Sequence, residues 1–170
     1  PAVPALIDVL KHHHKIVFAD DSEMYASEIL YSPEDSVTGI LVSGGYCEDP
    51  GEWSGKIVLC ERGENYFNAK AEAVEEGGGV GLIIYNNVTT PLIATLGSSF
   101  EGTIPALAVT IEEGETLFSQ HLNETVTLVN EDKYFNADDA LITMGTTALP
   151  YLIEALHNDT TYTQIEAIIL

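Results

Sequence analysis

Two periodicities divide the chain. Through its middle, short apolar runs rich in β-branched residues alternate with glycine-bearing turns, which is the pattern of strands. Ile16-Val17-Phe18 and Ile40-Leu41-Val42 are two such runs, and Ile57-Val58-Leu59-Cys60 follows Gly55 as a third. From Glu64 to Glu76 the period changes. Phe67, Lys70, Ala71 and Val74 recur every three or four residues, which predicts a helix stopped by Gly77-Gly78-Gly79. Val80 to Tyr85 is then continuously apolar and ends at Asn86-Asn87, as expected of a strand covered on both faces. Residues 55–87 therefore predict a βαβ unit, right-handed by the usual rule. Further on, Ile104 to Val109 predicts a strand and Glu112 to His121 a short helix with Leu117 and Phe118 turned inward. Thr125 to Val129 predicts a closing strand.

Both ends carry the helical period instead. Val3 to Leu10 aligns with Leu149 to Leu156, each with proline near its first turn, and Asp139 to Ile142 aligns with Glu166 to Ile169. The segment Asn136 to Leu156 resembles a HEAT repeat. The chain thus opens on what looks like the second helix of such a unit and closes on what looks like the first. Repeat units of this kind bury their apolar faces only against neighbours. Leu6, Leu10, Leu152, Leu156, Ile165 and Ile169 are accordingly the candidate assembly residues of a head-to-tail homo-oligomer, filament or tandem array. Packing of both ends on the same molecule is the alternative. The expected division is a helix over 1–13, a domain over 15–131 and a helical segment over 135–170.

Charge narrows the partners. The 170 residues hold 27 acidic and 6 basic side chains, a net charge of −21, so no basic patch exists to grip nucleic acid or an anionic lipid surface. No apolar run approaches the ~18 residues a membrane-spanning helix needs. Hydrophobic residues make up 45% of the chain, enough for a packed core. The expected partners are proteins.

The two cysteines, Cys47 and Cys60, form either a disulfide across a short turn region or a pair of reduced core thiols. They do not make a zinc site, because His121 and His157 stand isolated. Three sequons, at Asn87, Asn123 and Asn158, favour a glycosylated, extracellular or secreted protein and shift the balance toward the disulfide.

The middle also resembles a known family. Gly55-Lys56-Ile57-Val58-Leu59-Cys60-Glu61-Arg62-Gly63, then Phe67 and Lys70, then Gly77 through Asn87, is similar to the core pattern of protease-associated (PA) domains. Ile104-Pro105-Ala106-Leu107-Ala108-Val109 with Gly114 looks like the closing strand and helix of that family. The likeness covers roughly residues 15–130 and looks closest to PA domains inserted in subtilisin-like proteases. Gly78 departs from it, standing where the family often has alanine, with a small effect on packing expected. The resemblance implies an α/β (α+β) fold, β-rich with flanking helices, that serves as a lid, a substrate-selecting element or a protein-interaction surface.

Catalytic constellations are missing from the sequence. It has no Gly-x-Ser-x-Gly elbow, no His-Glu-x-x-His helix and no phosphate-binding loop, and Cys60 lies in a strand with no histidine partner. His12-His13-His14 cannot all face one way on a regular element, and Asp20-Asp21 and Asp138-Asp139 lack the spacing of a calcium loop. No cofactor and no enzymatic activity are expected. Ligands of α/β folds sit at the carboxyl ends of strands. That rule directs attention to the tips around Arg62 to Tyr66, Asn86-Asn87 and Leu96 to Gly102. Arg62, Tyr66, Asn86 and Phe100 are the candidate binding residues, Tyr66 and Phe100 being either peptide anchors or core. A glycan on Asn87 would block its tip. The expected function is a non-catalytic interaction or assembly module; the alternative is the substrate-selecting or lid domain of a secreted subtilisin-like protease.

Overall fold

The computed structural model describes residues 14–131 and Pro150; the HEAT-like segments and all six candidate assembly residues fall outside them. The βαβ unit is its centre. Strand β5 (Lys56–Glu61), helix α1 (Phe67–Glu76) and strand β6 (Gly81–Tyr85) follow in order, and the strands pair in parallel from Ile57↔Gly81 to Glu61↔Tyr85. Because side chains alternate along a strand, each strand feeds two cores. Val58, Cys60, Leu82 and Ile84 face α1, where they meet Ala71 and Val74. Ile57, Leu59 and Ile83 face the opposite way. Strand β8 (Ala106–Val109) joins β6 in parallel and divides its side chains by the same rule.

The remaining strands curl the sheet back on itself. Strand β4 (Asp35–Gly45) pairs in parallel with β5 and antiparallel with β9 (Thr125–Asn130), which in turn pairs with β1 (His14–Phe18). Strands β2 (Glu23–Tyr25) and β3 (Ser27–Leu30) are separated by Ala26 alone, whose N–H donates to the His14 carbonyl at 2.9 Å. Yet β2 pairs with β1 while β3 pairs with β8, near the far edge of the sheet. One bent segment thus links both sides, and the second core fills the space enclosed. It gathers Ile16, Leu41, Ile57, Ile83, Leu107 and Leu128 from six strands. A two-residue strand, β7 (Ala94–Thr95), adds to β3 at the edge.

Helix α1 has no capping side chain at its start and neither acidic residues in its first turn nor basic ones in its last, so its stability comes from burial. It ends where the glycines predict. The N–H groups of Gly77, Gly78 and Gly79 donate to Ala73, Glu75 and Val74. Gly78 carries φ +78°, and an added Cβ would lie 3.2 Å from Ser54 Cα. Its departure from alanine is therefore a matter of backbone conformation more than of packing.

The second helix differs from its expected form. Helix α2 (Ile111–Thr116) begins with a capping box, Thr110 Oγ1 accepting from the Glu113 N–H at 3.2 Å and Glu113 Oε2 accepting from the Thr110 N–H at 2.8 Å. It then widens into a π-helical turn over Leu117–His121. The extra residue per turn moves the side chains off the α-helical face. Leu117 stays buried, but Phe118, expected inward, is 52% exposed. His121 stacks on Phe18 with ring centroids 4.1 Å apart.

Candidate functional site

Strands β5, β6 and β8 end side by side at Glu61, Tyr85 and Val109, and the chain is tied together just beyond them. The Arg62 N–H donates to the Tyr85 carbonyl (2.9 Å) and the Asn86 N–H to the Val109 carbonyl (3.1 Å). Arg62 Nη1 donates to Asn86 Oδ1 at 3.0 Å, Asn86 Nδ2 to the Thr90 carbonyl at 2.5 Å, and Asn87 Nδ2 to the Arg62 carbonyl at 2.9 Å. Two of the expected binding residues, Arg62 and Asn86, therefore meet each other. Asn86 is buried and its amide is occupied within the knot, so the pair shapes the rim.

A groove of about 560 Å³ opens beside this knot. Glu61, Tyr85, Asn86 and Asn87 line it from the strand ends; Ile111, Glu115, Phe118 and Ser119 form the wall from α2 and the π-helical turn. Close approach of α2 to Tyr85 depends on Gly114, where an added Cβ would fall 2.2 Å from Tyr85 Cβ. The Tyr85 hydroxyl donates to Glu61 Oε2 at 3.1 Å. Its pKa is pushed up to about 12, by burial first, then by that hydrogen bond and the Glu61 charge, with Tyr46 and Glu115 adding to it. The phenol thus stays a neutral donor, and the groove presents carboxylates, an exposed aromatic ring and no basic side chain.

The opposite face of β5 is closed. Cys60 pairs with Cys47 in a disulfide, Cα atoms 5.8 Å apart. Lys70 of α1 is fully buried beside it; its ammonium donates to the Tyr46 carbonyl and lies 5.8 Å from the Tyr46 ring centroid. Burial lowers the Lys70 pKa, and the charges of Glu48 and Glu61 oppose that shift. Asn65 Nδ2 donates to the Cys47 carbonyl at 3.4 Å, which completes the corner.

The other sequence candidates scatter. Tyr66 precedes α1 and is 83% exposed, outside the groove lining, whereas Phe100 packs against the α1-side core. Asn87 and Asn123 are both exposed, but the Asn87 amide is engaged by Arg62, while Asn123 takes φ +69° in the turn before β9. Asn158, His12, His13, Asp138 and Asp139 lie outside the described residues. Among the described residues there is no group of three or more metal-binding side chains. Glu61, Tyr85 and Glu115 were not singled out in the sequence; the strand-end rule pointed one residue past two of them.

Comparison with known proteins places the fold. The family model of the PA domain matches residues 37–117. Among curated proteins, the chain is 32% identical over 128 residues to leucine aminopeptidase 2 of Arthroderma otae, covering 72% of this chain and 26% of that protein. It is 31% identical over 146 residues to a probable lipoprotein aminopeptidase, LpqL, of Mycobacterium tuberculosis, covering 78% of this chain and 29% of that protein. The chain therefore spans little more than a quarter of these relatives. Among solved structures, an aminopeptidase from an Aneurinibacillus strain superposes with a TM-score of 0.61 at 23% identity, over 75% of this chain and 36% of that one. A subtilisin-like protease, Apa1, from an Antarctic Pseudoalteromonas gives 0.56 at 20% identity, over 70% and 33% respectively.

Proposed function

We propose, from the premise that this chain carries a PA domain, that it is a non-catalytic, extracytoplasmic element which engages polypeptide and so selects or restrains the substrates of a peptidase. The observation that supports this most directly is the groove at the carboxyl ends of β5 and β6, where an exposed Phe118 stands over strand termini instead of joining the core. The names of the curated relatives favour an aminopeptidase as the catalytic companion over the subtilisin-like protease suggested by the sequence pattern. A disulfide among the described residues fits an oxidising compartment. Head-to-tail assembly rests on Leu6, Leu10, Leu152, Leu156, Ile165 and Ile169, and no described residue favours it.

Two measurements on the whole chain test this reading. Amide signals followed by NMR during titration with a tryptic digest of casein should shift at 61, 85–87 and 111–119. The chain alone should leave leucine p-nitroanilide unhydrolysed. Shifts confined to another face would remove the groove from the proposal, and turnover by the purified chain would remove its non-catalytic character.

A further inference from the structure

The chemistry of the groove is asymmetric. Glu61 and Glu115 enter its lining from different elements, one at the end of β5 and the other on α2. Both line the same groove as Tyr85, whose hydroxyl donates to Glu61. No lysine or arginine is among the lining residues, although Arg62 reaches one of them, Asn86. Lys15 pairs with Glu23, Lys56 donates to the Glu52 carbonyl, Arg62 donates to Asn86, and Lys70 is buried against Tyr46. Phe118 and Ile111 supply apolar surface on the same wall.

We infer that the groove receives one basic side chain, arginine or lysine, projecting from an extended polypeptide, with its aliphatic stem on Phe118 and Ile111 and its cationic end at Glu61 and Glu115. Long basic side chains divide in this way between an apolar stem and a charged head, and an aromatic face adds attraction for the cation. A groove with two lining carboxylates and no lining lysine or arginine is complementary to such a head and repels acidic segments, which gives selection by charge. This inference rests on the groove being the polypeptide-contact site.

The test titrates the whole chain with three capped pentapeptides, acetyl-Ser-Leu-X-Leu-Ser-amide, with X as arginine, citrulline or glutamate, and reads amide shifts by NMR. The arginine peptide should shift the signals of 61, 85–87 and 111–119. Citrulline, which keeps the shape and loses the charge, should bind about tenfold more weakly, the usual loss for one charge-assisted contact. Glu115→Gln should weaken the arginine peptide by a similar factor and leave citrulline unchanged, and Phe118→Ala should weaken both. Raising the salt concentration should selectively weaken the arginine peptide. Equal binding of arginine and citrulline in the groove would overturn the charge selection while leaving the groove a polypeptide contact. Shifts on another face, or groove shifts that follow chain concentration without peptide, would overturn both.

Discussion

The two faces of one strand end behave in opposite ways. Cys60 and Glu61 are neighbours on β5, and alternation sends one toward α1 and the other toward α2. On the α1 side a disulfide ties Cys60 to Cys47, a buried lysine donates to the Tyr46 carbonyl, and the corner is closed. Across the strand, carboxylates and an exposed ring meet an open groove. The difference teaches that a closed, disulfide-tied corner and an open groove occupy the same position in the sheet, on opposite sides. The closed side fixes the strand ends from which the open side is built.

Breaking the closed side gives the largest expected effect. Replacing Cys47 and Cys60 together with alanine frees a loop with a sequence separation of 13. The expected cost is roughly 3 kcal/mol of unfolding free energy, measured by chemical denaturation of the whole chain. Groove signals in NMR spectra should hold their positions; if they move as far as those of Tyr46 and Lys70, the two faces are coupled and the contrast fails.

Gly114→Ala tests the open side. Its Cβ would collide with Tyr85, so the substitution should cost about 2 kcal/mol and displace α2. Its shifts should be centred on 85 and 111–119, with the disulfide corner undisturbed.

The smallest effect sharpens the electrostatic half of the comparison. The Tyr85 phenol ionises near pH 10 in the unfolded chain and near 12 in the folded one. Its contribution to stability is present below pH 10 and is lost as pH rises toward 12, because the unfolded state then binds fewer protons. Tyr85→Phe should lack that alkaline component, as read from denaturation midpoints between pH 9 and 12. An identical slope in both proteins would mean that neither burial nor the Glu61 contact holds this hydroxyl's pKa up in the folded chain.

The sequence made β5, α1 and β6 legible because both faces of those strands are buried and the glycine stop has a backbone reason at Gly78. Strands β2, β3 and β7 left little signal, being two to four residues long and partly exposed. The start of α2 was written in Thr110 and Glu113, three residues apart, yet helical periodicity set it one residue late. Phe118 was misplaced because an α-helical period does not foresee a π-helical turn. The groove was the hardest to read. Glu61, Tyr85 and Glu115 are brought together by strand pairing and by Gly114, and nothing local to any of the three marks it as a partner of the others.

The pairing of β1 with β9 has a consequence for insertion. His14 lies opposite Asn130, so the path into this body and the path out of it run side by side, about 5 Å apart. A surrounding polypeptide experiences a body of this kind as a single lengthened turn, and the entropic cost of lengthening a turn grows only with the logarithm of its length. Adjacent entry and exit strands are thus the geometry that insertion at an exposed turn requires.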